Sequence, residues 1–301
     1  MNDGARIVFK GVRDFDPLQT FACGQAFRWD RERDGSHTGV AGDRAANIAF
    51  TPAPGGRCAG DIAIRPLGRA PAADAAADER FWADYLDLGR DYGAVKRALI
   101  ADDPVMARAV AHGAGIRILR QAPWEALISF ILSQNNNIAR IRGCVKRLCA
   151  GFGARAGCGS GGEALFAFPR VDILAACTEA DLAPCGLGYR ARYVALAARR
   201  VAEAGGDAWL AGLRGAPLAE ARAALLSLCG VGPKVADCVL LFGLGRTEVF
   251  PVDVWTARAM RALYGAEKRD AAAGAAARFG PCAGIAQQYL FYYMRNGGSE
   301  E

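Results

Sequence analysis

Residues 225–255 read LLSLCGVGPKVADCVLLFGLGRTEVFPVDVW, and their spacing predicts two helices joined by a Gly-Val-Gly turn, then a third helix. Apolar residues recur at helical spacing up to Leu228 and again from Val235 onward. Gly230 and Gly232 permit positive φ and let a bulky anion approach the backbone. Amides at the start of the second helix would then face that anion. The pattern is typical of a helix-hairpin-helix that binds a nucleic-acid phosphate.

Two polar residues add chemistry to this hairpin. Lys234 lies in the first turn of the second helix, where the positive end of the helix dipole disfavours an ammonium, so it is a candidate amine nucleophile. Asp253 follows at the predicted start of the third helix. Each also has an ordinary structural role open to it, because such a lysine often only contacts phosphate and an aspartate before a helix is often an N-cap. Their occurrence together, in this order, favours a catalytic pair.

The chain resembles the helix-hairpin-helix DNA glycosylases, and specifically the 8-oxoguanine DNA glycosylase/lyases. The resemblance covers nearly the whole sequence and rests on blocks that follow the family's order. A hairpin alone would be weak evidence, whereas the further blocks make the resemblance strong. The blocks are GQAFRW at 24–29, SQNNNIARI at 133–141, GLGYRARYV at 186–194, GVGPKVADC at 230–238, PVDVW at 251–255 and AQQYLF at 286–291.

This resemblance implies a bifunctional glycosylase/lyase that excises 8-oxoguanine opposite cytosine from duplex DNA in base excision repair. Lys234 would attack C1′ of the damaged nucleotide, expel the base and leave a Schiff base. Asp253 would stabilise the developing sugar cation and orient the lysine, and β-elimination would then nick the strand on the 3′ side. The base must first leave the stack, which demands replacement contacts.

The resemblance assigns those contacts to a pocket for the flipped base. Phe291 and Cys238 would sandwich the base, Phe130 would line the pocket, and Gln287 would bond the Watson–Crick edge. The carbonyl of Gly24 would accept the N7–H that only oxidised guanine carries, since ordinary guanine presents an acceptor there. Without the resemblance, Gly24 would suit a plain turn and Phe291 a plain core.

Four residues are expected on the opposite side of the damaged base pair. By the resemblance, Tyr189 would wedge into the gap left by the flipped base, while Asn135, Arg140 and Arg190 would engage the widowed cytosine. The asparagine run at 135–137 is also typical of the turn after a helix, because Asn tolerates left-handed φ.

Two positions depart from the family pattern. Trp255 stands where animal members carry histidine, and Gln134 replaces a small hydroxyl residue. A tryptophan accepts no hydrogen bond, so a phosphate or proton-relay role for this position is in doubt. Neither position is Lys234 or Asp253, so the expected reaction is unchanged.

Composition fits a globular DNA-binding protein without proving one. The chain has 301 residues, is 52% hydrophobic and carries a net charge of +6. Its ten cysteines and the lack of a leading apolar segment predict a reducing compartment: the cytoplasm and nucleoid of a bacterium, or a eukaryotic nucleus. No stretch approaches the ~20 apolar residues that cross a bilayer. We expect a monomer with no membrane association.

No cofactor is expected. The cysteines lack C-x-x-C spacing and only two histidines are present, which argues against zinc. Only Cys282 lies near the C-terminal end, so the four-cysteine iron–sulfur loop of some related glycosylases is not expected. The resemblance does imply a structural monovalent cation on hairpin carbonyls, those of Leu226, Leu228 and Val231.

The spacing along the chain predicts an α+β, mostly α fold. Residues 1–70 are β-rich, with short segments GQAFRWD, AANIAF and DIAIRPL between turn clusters. The alanine-rich residues 68–80 look like a linker, and spacing is helical from Phe81 onward. The glycine stretch at 151–162 indicates a mobile loop or simple surface filler.

These segments define two domains. Residues 1–78 are predicted to form a small N-terminal antiparallel β-sheet domain. Residues 79–301 are predicted to form two helical subdomains that carry the helix-hairpin-helix, with the hairpin and catalytic region at 218–264. DNA would bind across the cleft between the subdomains.

Two other functions remain open from the sequence. The same scaffold could act on an alkylated or ring-opened purine, although Gly24, Gln287, Phe291 and Cys238 favour oxidised guanine. Adenine-removing relatives generally lack the hairpin lysine. Alternatively, the chain could be a non-catalytic helix-hairpin-helix DNA-binding protein. A phosphate clamp has no need of a base pocket, so the enzyme is favoured.

Overall fold

The computed structural model describes residues 6–68 and 75–297. An antiparallel sheet is followed by packed helices, which confirms the predicted α+β, mostly α fold. The strands are β1 (Ile7–Arg13), β2 (Trp29–Arg31), β3 (His37–Ala41), β4 (Arg44–Pro52), β5 (Ala59–Pro66), β6 (Arg155–Cys158) and β7 (Ala164–Phe166). The helices are α1 (Pro17–Ala22), α2 (Ala75–Tyr85), α3 (Tyr92–Ile100), α4 (Pro104–His112), α5 (Pro123–Leu132), α6 (Ile138–Phe152), α7 (Val171–Ala176), α8 (Glu179–Leu182), α9 (Arg190–Ala204), α10 (Asp207–Gly212), α11 (Leu218–Leu226), α12 (Pro233–Cys238), α13 (Val254–Tyr264), α14 (Ala271–Phe279) and α15 (Ala283–Arg295).

The N-terminal sheet has its own apolar core. Its strands run in the order β1-β5-β4-β3-β2, and each is antiparallel to its neighbours. Ile48 and Ile64 are register partners and both are buried, as the alternation of strand side chains requires. Helices α1 and α2 cover this face: Phe21 stacks on Trp29 at 4.7 Å, and the indole N–H of Trp29 donates to the Tyr85 hydroxyl at 2.7 Å.

The predicted boundary between residues 78 and 79 falls inside α2. Trp82 and Tyr85 of this helix complete the apolar core of the sheet. Of the linker predicted at 68–80, residues 69–74 lie outside the described residues. The division into two domains at this point stays a prediction.

The segment GQAFRWD is mostly a loop, so its prediction as strand is only partly right. Strand β2 begins at Trp29, and Gly24 before it has φ +83. The buried Gln25 side chain replaces strand pairing, because its amide donates to the Arg117 carbonyl at 2.7 Å and accepts from the Leu119 N–H at 2.8 Å. This pins the loop to the helical part of the molecule.

The glycine stretch at 151–162 contains the end of α6, strand β6 and the turn that leads to β7, so the prediction of a loop over these residues was wrong. Strands β6 and β7 pair with each other, and Gly157 forms a bridge with Gly68 just after β5. A Cβ on Gly157 would lie only 2.4 Å from the Leu67 carbonyl oxygen. The glycine is therefore needed for close approach of two backbones, and composition alone does not distinguish that need from a flexible loop.

Helix α5 lies between two groups of helices. Helix α5 is buried on every side from Trp124 to Leu132. On one side lie α6–α12, in which α7 packs on α9 and α11 on α12. On the other lie α3, α4 and α13–α15, in which α4 and α13 pack on α15. All contribute to one continuous apolar core.

The helix-hairpin-helix is confirmed between α11 and α12, and α13 is the predicted third helix. After α12 the chain makes a single π-helical turn at Val239–Gly243 that the sequence did not predict. Val239 and Phe242 are buried as their spacing predicted. Such turns insert one extra residue per turn and are frequent near functional sites.

Candidate active site

A cavity of about 300 Å³ opens where the two helical groups meet the loop before β2. All seven residues predicted for catalysis or base binding line this cavity, although they come from five separate parts of the chain. Those residues are Gly24, Phe130, Lys234, Cys238, Asp253, Gln287 and Phe291. The fold therefore collects the predicted pocket in one place.

Lys234 lies in the first turn of α12, immediately after the hairpin, as predicted. Its Nζ donates to the hydroxyl oxygen of Ser133 at 2.9 Å and lies 5.0 Å from the centre of the Phe130 ring. Ser133 in turn donates to the Phe130 carbonyl at 2.7 Å. The amine is therefore held at the end of α5 by a hydroxyl whose own direction is set by the backbone.

Asp253 is the N-cap of α13. Its Oδ1 accepts the backbone N–H of Thr256 at 2.7 Å, and its side chain also lines the cavity. The ordinary capping role and the position in the site are both present, so they are not alternatives. Capping fixes the carboxylate at the helix start, where the helix dipole also favours a negative charge.

Cys238 contributes an uncharged sulfur to the cavity wall. Burial raises the pKa of its thiol to about 12, and the nearby Lys234 opposes that shift. The thiol is therefore protonated at neutral pH. A neutral, polarizable sulfur suits contact with the flat face of an aromatic ring.

Gln287 is the most constrained polar group of the cavity. Its Nε2 donates to Thr256 Oγ1 at 2.9 Å, and both side chains are buried. Its Oε1 is buried and has no hydrogen-bond partner among the described residues. Since an unpaired buried acceptor costs free energy, this oxygen is the group that a ligand in the cavity would satisfy.

Gly24 and Phe291 approach each other closely across the cavity wall. A Cβ on Gly24 would lie 3.2 Å from both Phe291 Cε1 and Ile138 Cδ1. With φ +83 as well, the position strongly favours glycine. Gly24 thus lies in a turn, as considered from the sequence, and this turn forms part of the cavity wall.

Three contributors were not singled out from the sequence. Ser133 orients Lys234, Thr256 connects Asp253 with Gln287, and Phe242 lines the cavity while stacking on Phe130 at 5.3 Å. Ser133 opens one of the family-like blocks and Thr256 directly follows another. Nothing in their spacing distinguishes them from ordinary turn or capping residues.

The hairpin glycines differ from each other. Gly230 has φ +80, and a Cβ there would lie 2.5 Å from the Tyr193 ring. Gly232 has φ −94, and a Cβ there would meet no atom within 4 Å, so this glycine leaves open space in front of the turn. Gln134, the departure from the family pattern, donates to the Gly230 carbonyl at 2.9 Å and ties the hairpin to α5.

We call Asn135, Arg140 and Tyr189 the opposite-strand surface. All three are exposed, and Tyr189 exposes 53% of its surface. Asn135 has the left-handed φ of +46 that its residue type predicted. Tyr189 packs edge-on against Tyr193 at 5.8 Å, which supports its ring from behind.

Arg190, the fourth residue predicted there, is buried instead. Its guanidinium donates to the carbonyls of Gln134, Asn135 and Leu187, and it lies 4.4 Å from the centre of the Tyr189 ring. In this structure it therefore holds the loop that carries the opposite-strand surface. Its direct contact with cytosine stays a prediction.

Trp255 lies at the rim of the cavity, beside Asp253. It exposes 38% of its surface, and the guanidinium of Arg258 lies 5.3 Å from its ring centre. Arg258, one helical turn after Trp255, thus places a cation against this tryptophan at the rim.

The described residues show no group of three metal-ligating side chains that could hold a metal ion. All ten cysteines are free thiols. Of the hairpin carbonyls, that of Leu228 accepts the Val231 N–H at 3.1 Å; the monovalent cation stays a prediction. No helix in the described ranges is long and apolar enough to span a membrane.

Residues 128–281 match the model of the HhH-GPD superfamily of base excision DNA repair proteins. The chain belongs to this superfamily. Residues 7–127 match the 8-oxoguanine DNA glycosylase N-terminal domain. The two matches adjoin and together include the sheet, the hairpin and most of the cavity, which confirms the resemblance found in the sequence.

Relatives of known name support the same placement in the HhH-GPD superfamily. The chain is 34% identical over 284 residues to the N-glycosylase/DNA lyase OGG1 of Arabidopsis thaliana, covering 90% of this chain and 75% of that protein. It superimposes on MBOgg1 in complex with a low affinity DNA ligand with a TM-score of 0.88 at 38% identity, covering 99% and 98% of the two chains. For the Clostridium acetobutylicum 8-oxoguanine glycosylase/lyase bound to duplex DNA with cytosine opposite 8-oxoguanine, the TM-score is 0.86 at 33% identity, covering 99% and 100%.

Proposed function

We propose that the protein is a bifunctional DNA glycosylase/AP lyase that excises 8-oxoguanine opposite cytosine from duplex DNA in base excision repair. The observation that carries this proposal is the content of one cavity: an amine, a carboxylate and a buried amide oxygen without a partner among the described residues. A phosphate clamp needs none of these groups. The names of the relatives point to the same activity.

The cavity suits a single extruded base. Its volume of about 300 Å³ lies at the lower end of small-molecule pockets, which span roughly 300–1,000 Å³. The lining alternates aromatic rings with a few polar groups, as a flat heterocycle with a hydrogen-bonding edge requires. Phe291, Phe130 and Cys238 supply the apolar contact.

Selection among bases would come from two acceptors. The Gly24 carbonyl would accept N7–H of 8-oxoguanine, and ordinary guanine would be rejected because its N7 is itself an acceptor. Gln287 Oε1 would accept N1–H and the 2-amino group on the Watson–Crick edge. Both acceptors belong to residues whose geometry is fixed before DNA arrives.

The reaction would begin with the Lys234 amine. Its nitrogen forms a bond to C1′ as the bond from C1′ to the base breaks, and the base leaves with the electron pair and takes up the proton that the alkylated amine loses. Asp253 would stabilise the positive charge that develops on the sugar, and a preorganised electrostatic group of this kind supplies ~3–4 kcal/mol in a protease oxyanion hole. Opening of the sugar ring gives the Schiff base. Loss of a C2′ proton then breaks the bond from C3′ to the 3′ phosphate oxygen and nicks the strand.

The rest of the duplex would be held outside the cavity. Tyr189 would fill the gap in the stack, Asn135 and Arg140 would contact the unpaired cytosine, and the open turn at Gly230 and Gly232 would admit a phosphate. Every group in the scheme belongs to one chain, so we propose a monomer. Its substrate places the protein with DNA, in a nucleoid or a nucleus.

Borohydride trapping tests the proposal directly. Duplexes carrying 8-oxoguanine, guanine or an alkylated purine opposite cytosine are incubated with the protein and reduced. A covalent adduct with the 8-oxoguanine duplex alone is expected. An adduct with the alkylated purine instead would assign the scaffold to another lesion, and tight binding with no adduct to any duplex would favour the non-catalytic clamp.

A further inference from the structure

We infer that Thr256 is a positioning and specificity-determining residue, which holds the base-reading amide of Gln287 in register with the catalytic carboxylate. The inference rests on the proposed function and adds a residue to it. Thr256 is fully buried in the first turn of α13 and does not itself line the cavity. It would therefore act through its neighbours without touching substrate.

Two atoms of Thr256 make two separate connections. Its backbone N–H donates to Asp253 Oδ1 at 2.7 Å, and its side-chain Oγ1 accepts from Gln287 Nε2 at 2.9 Å. One residue thus links the start of α13 with the middle of α15. The two connections are chemically separable, because a side-chain substitution leaves the backbone N–H in place.

The side-chain bond matters because a glutamine amide turns easily. Its terminal torsion has only broad, shallow preferences, so the protein must supply a partner to fix the plane of the amide. With Nε2 bound to Thr256, the oxygen is left for the substrate. The reversed amide would direct its own donor at N1–H and the 2-amino group of a guanine, which are also donors. A guanine-type base therefore favours the orientation in which Nε2 bonds to Thr256 and Oε1 faces the base.

Valine in place of Thr256 keeps the shape and removes the acceptor. Gln287 Nε2 then has no partner in a buried site, and the amide is free to turn. We expect excision of 8-oxoguanine by Thr256→Val to fall about tenfold, equivalent to ~1.4 kcal/mol. The loss should be much larger than any change in nicking of a duplex with a preformed abasic site, because that substrate has no base for Gln287 to bind.

Single-turnover rates of base release and of abasic-site nicking are measured for the parent protein, Thr256→Val and Thr256→Ser. Serine keeps the hydroxyl, so rescue of base release to near the parent rate is expected. Thr38→Val is the matched control, since Thr38 is a buried threonine of β3 whose hydroxyl accepts from Asn47 at 3.2 Å. It should leave the ratio of the two rates at the parent value.

Three outcomes would overturn the inference: equal rates for Thr256→Val and the parent, equal losses in release and nicking, or failure of serine to rescue. Thermal melting of each variant is recorded alongside, and because the readout is a ratio of two activities of one sample, partial unfolding cancels. Failure of the parent itself to release 8-oxoguanine would instead refute the proposed function.

Discussion

Polar side chains are held differently in the base cavity and on the opposite-strand surface. In the cavity, Lys234, Asp253 and Gln287 each make a hydrogen bond of 2.7–2.9 Å to another group of the protein. On the opposite-strand surface, Asn135 and Arg140 are exposed, and no side-chain hydrogen bond holds either of them within the described residues. Only the backbone beneath them is fixed, by Arg190 and the Asn137 cap of α6.

This difference indicates how the two regions would work. Groups that stabilise developing charge must be oriented before the reaction, because reorganisation during the reaction would cost the energy they are meant to supply. Groups that contact an unpaired base can instead be ordered by that base on binding. We therefore propose that the cavity is preorganised for chemistry and that the surface adapts to the base it contacts.

The largest effect should come from Lys234→Gln. Removal of a nucleophile lowers rates by on the order of 10⁶-fold in well-studied enzymes, so base release, nicking and trapping should all disappear. Binding to damaged duplex should persist, because the opposite-strand surface is untouched. Lys10→Gln, an exposed lysine of β1, is the control with parent activity. Residual trapping by Lys234→Gln would remove this lysine from the mechanism.

Asp253→Asn should come next. Asparagine is also a good N-cap, so α13 should keep its start while the cavity loses a negative charge. We expect base release to slow by about 10²–10³-fold, as when a comparable electrostatic group is removed. Asp91→Asn changes the cap of α3 in the same way outside the cavity and should leave release unchanged. If both variants behave alike, capping alone explains Asp253.

Arg140→Ala probes the adaptable region. Base-edge contacts discriminate by ~1–3 kcal/mol each, so the preference for cytosine over the other three opposing bases should shrink correspondingly. Nicking of a preformed abasic site should change far less. Arg200→Ala, an exposed arginine of α9, serves as the control. An unchanged set of rate ratios across four opposing bases would show that Arg140 does not read the partner strand.

The smallest effect tests whether the cavity wall is closed to solvent. Burial raises the pKa of Cys238 to about 12, so its reactive thiolate is scarce at every pH below that value and becomes more abundant only as pH approaches it. Alkylation at pH 8, followed by peptide mass mapping, should label exposed Cys229 and spare Cys238. Rapid labelling of Cys238 at pH 8 would mean that its thiol is not buried in the cavity wall as the structure shows.

Much of the site was predictable because short stretches of sequence specify turns, helix starts and the side chains placed there. The hairpin, the start of α13 and the choice of Lys234 and Asp253 as candidates depend on turn residues and helical spacing over a few dozen positions. The resemblance added five further residues that line the cavity: Gly24, Phe130, Cys238, Gln287 and Phe291. The family models and the structure confirm the family and the fold.

What was missed depended on neighbours distant in sequence. In the β6–β7 hairpin Gly157 meets the backbone just after β5, and a glycine-rich stretch looks the same with or without that partner. Arg190 was predicted to contact cytosine, but nothing in its local sequence indicated that its guanidinium is buried against loop carbonyls from another part of the chain. Ser133 lies about a hundred residues from the lysine it orients.

The sequence by itself determined the family and the helix-hairpin-helix, and it singled out Lys234 and Asp253 as the candidate nucleophile and carboxylate, because these follow from residue types at short spacings. Tertiary structure alone decided which groups are fixed and which are free. Hydrogen-bond geometry over a few ångströms controls that distinction, and it is created only when α5, α12, α13 and α15 come together. The unpaired acceptor of Gln287 and its neighbour Thr256 could therefore be recognised only from the tertiary structure.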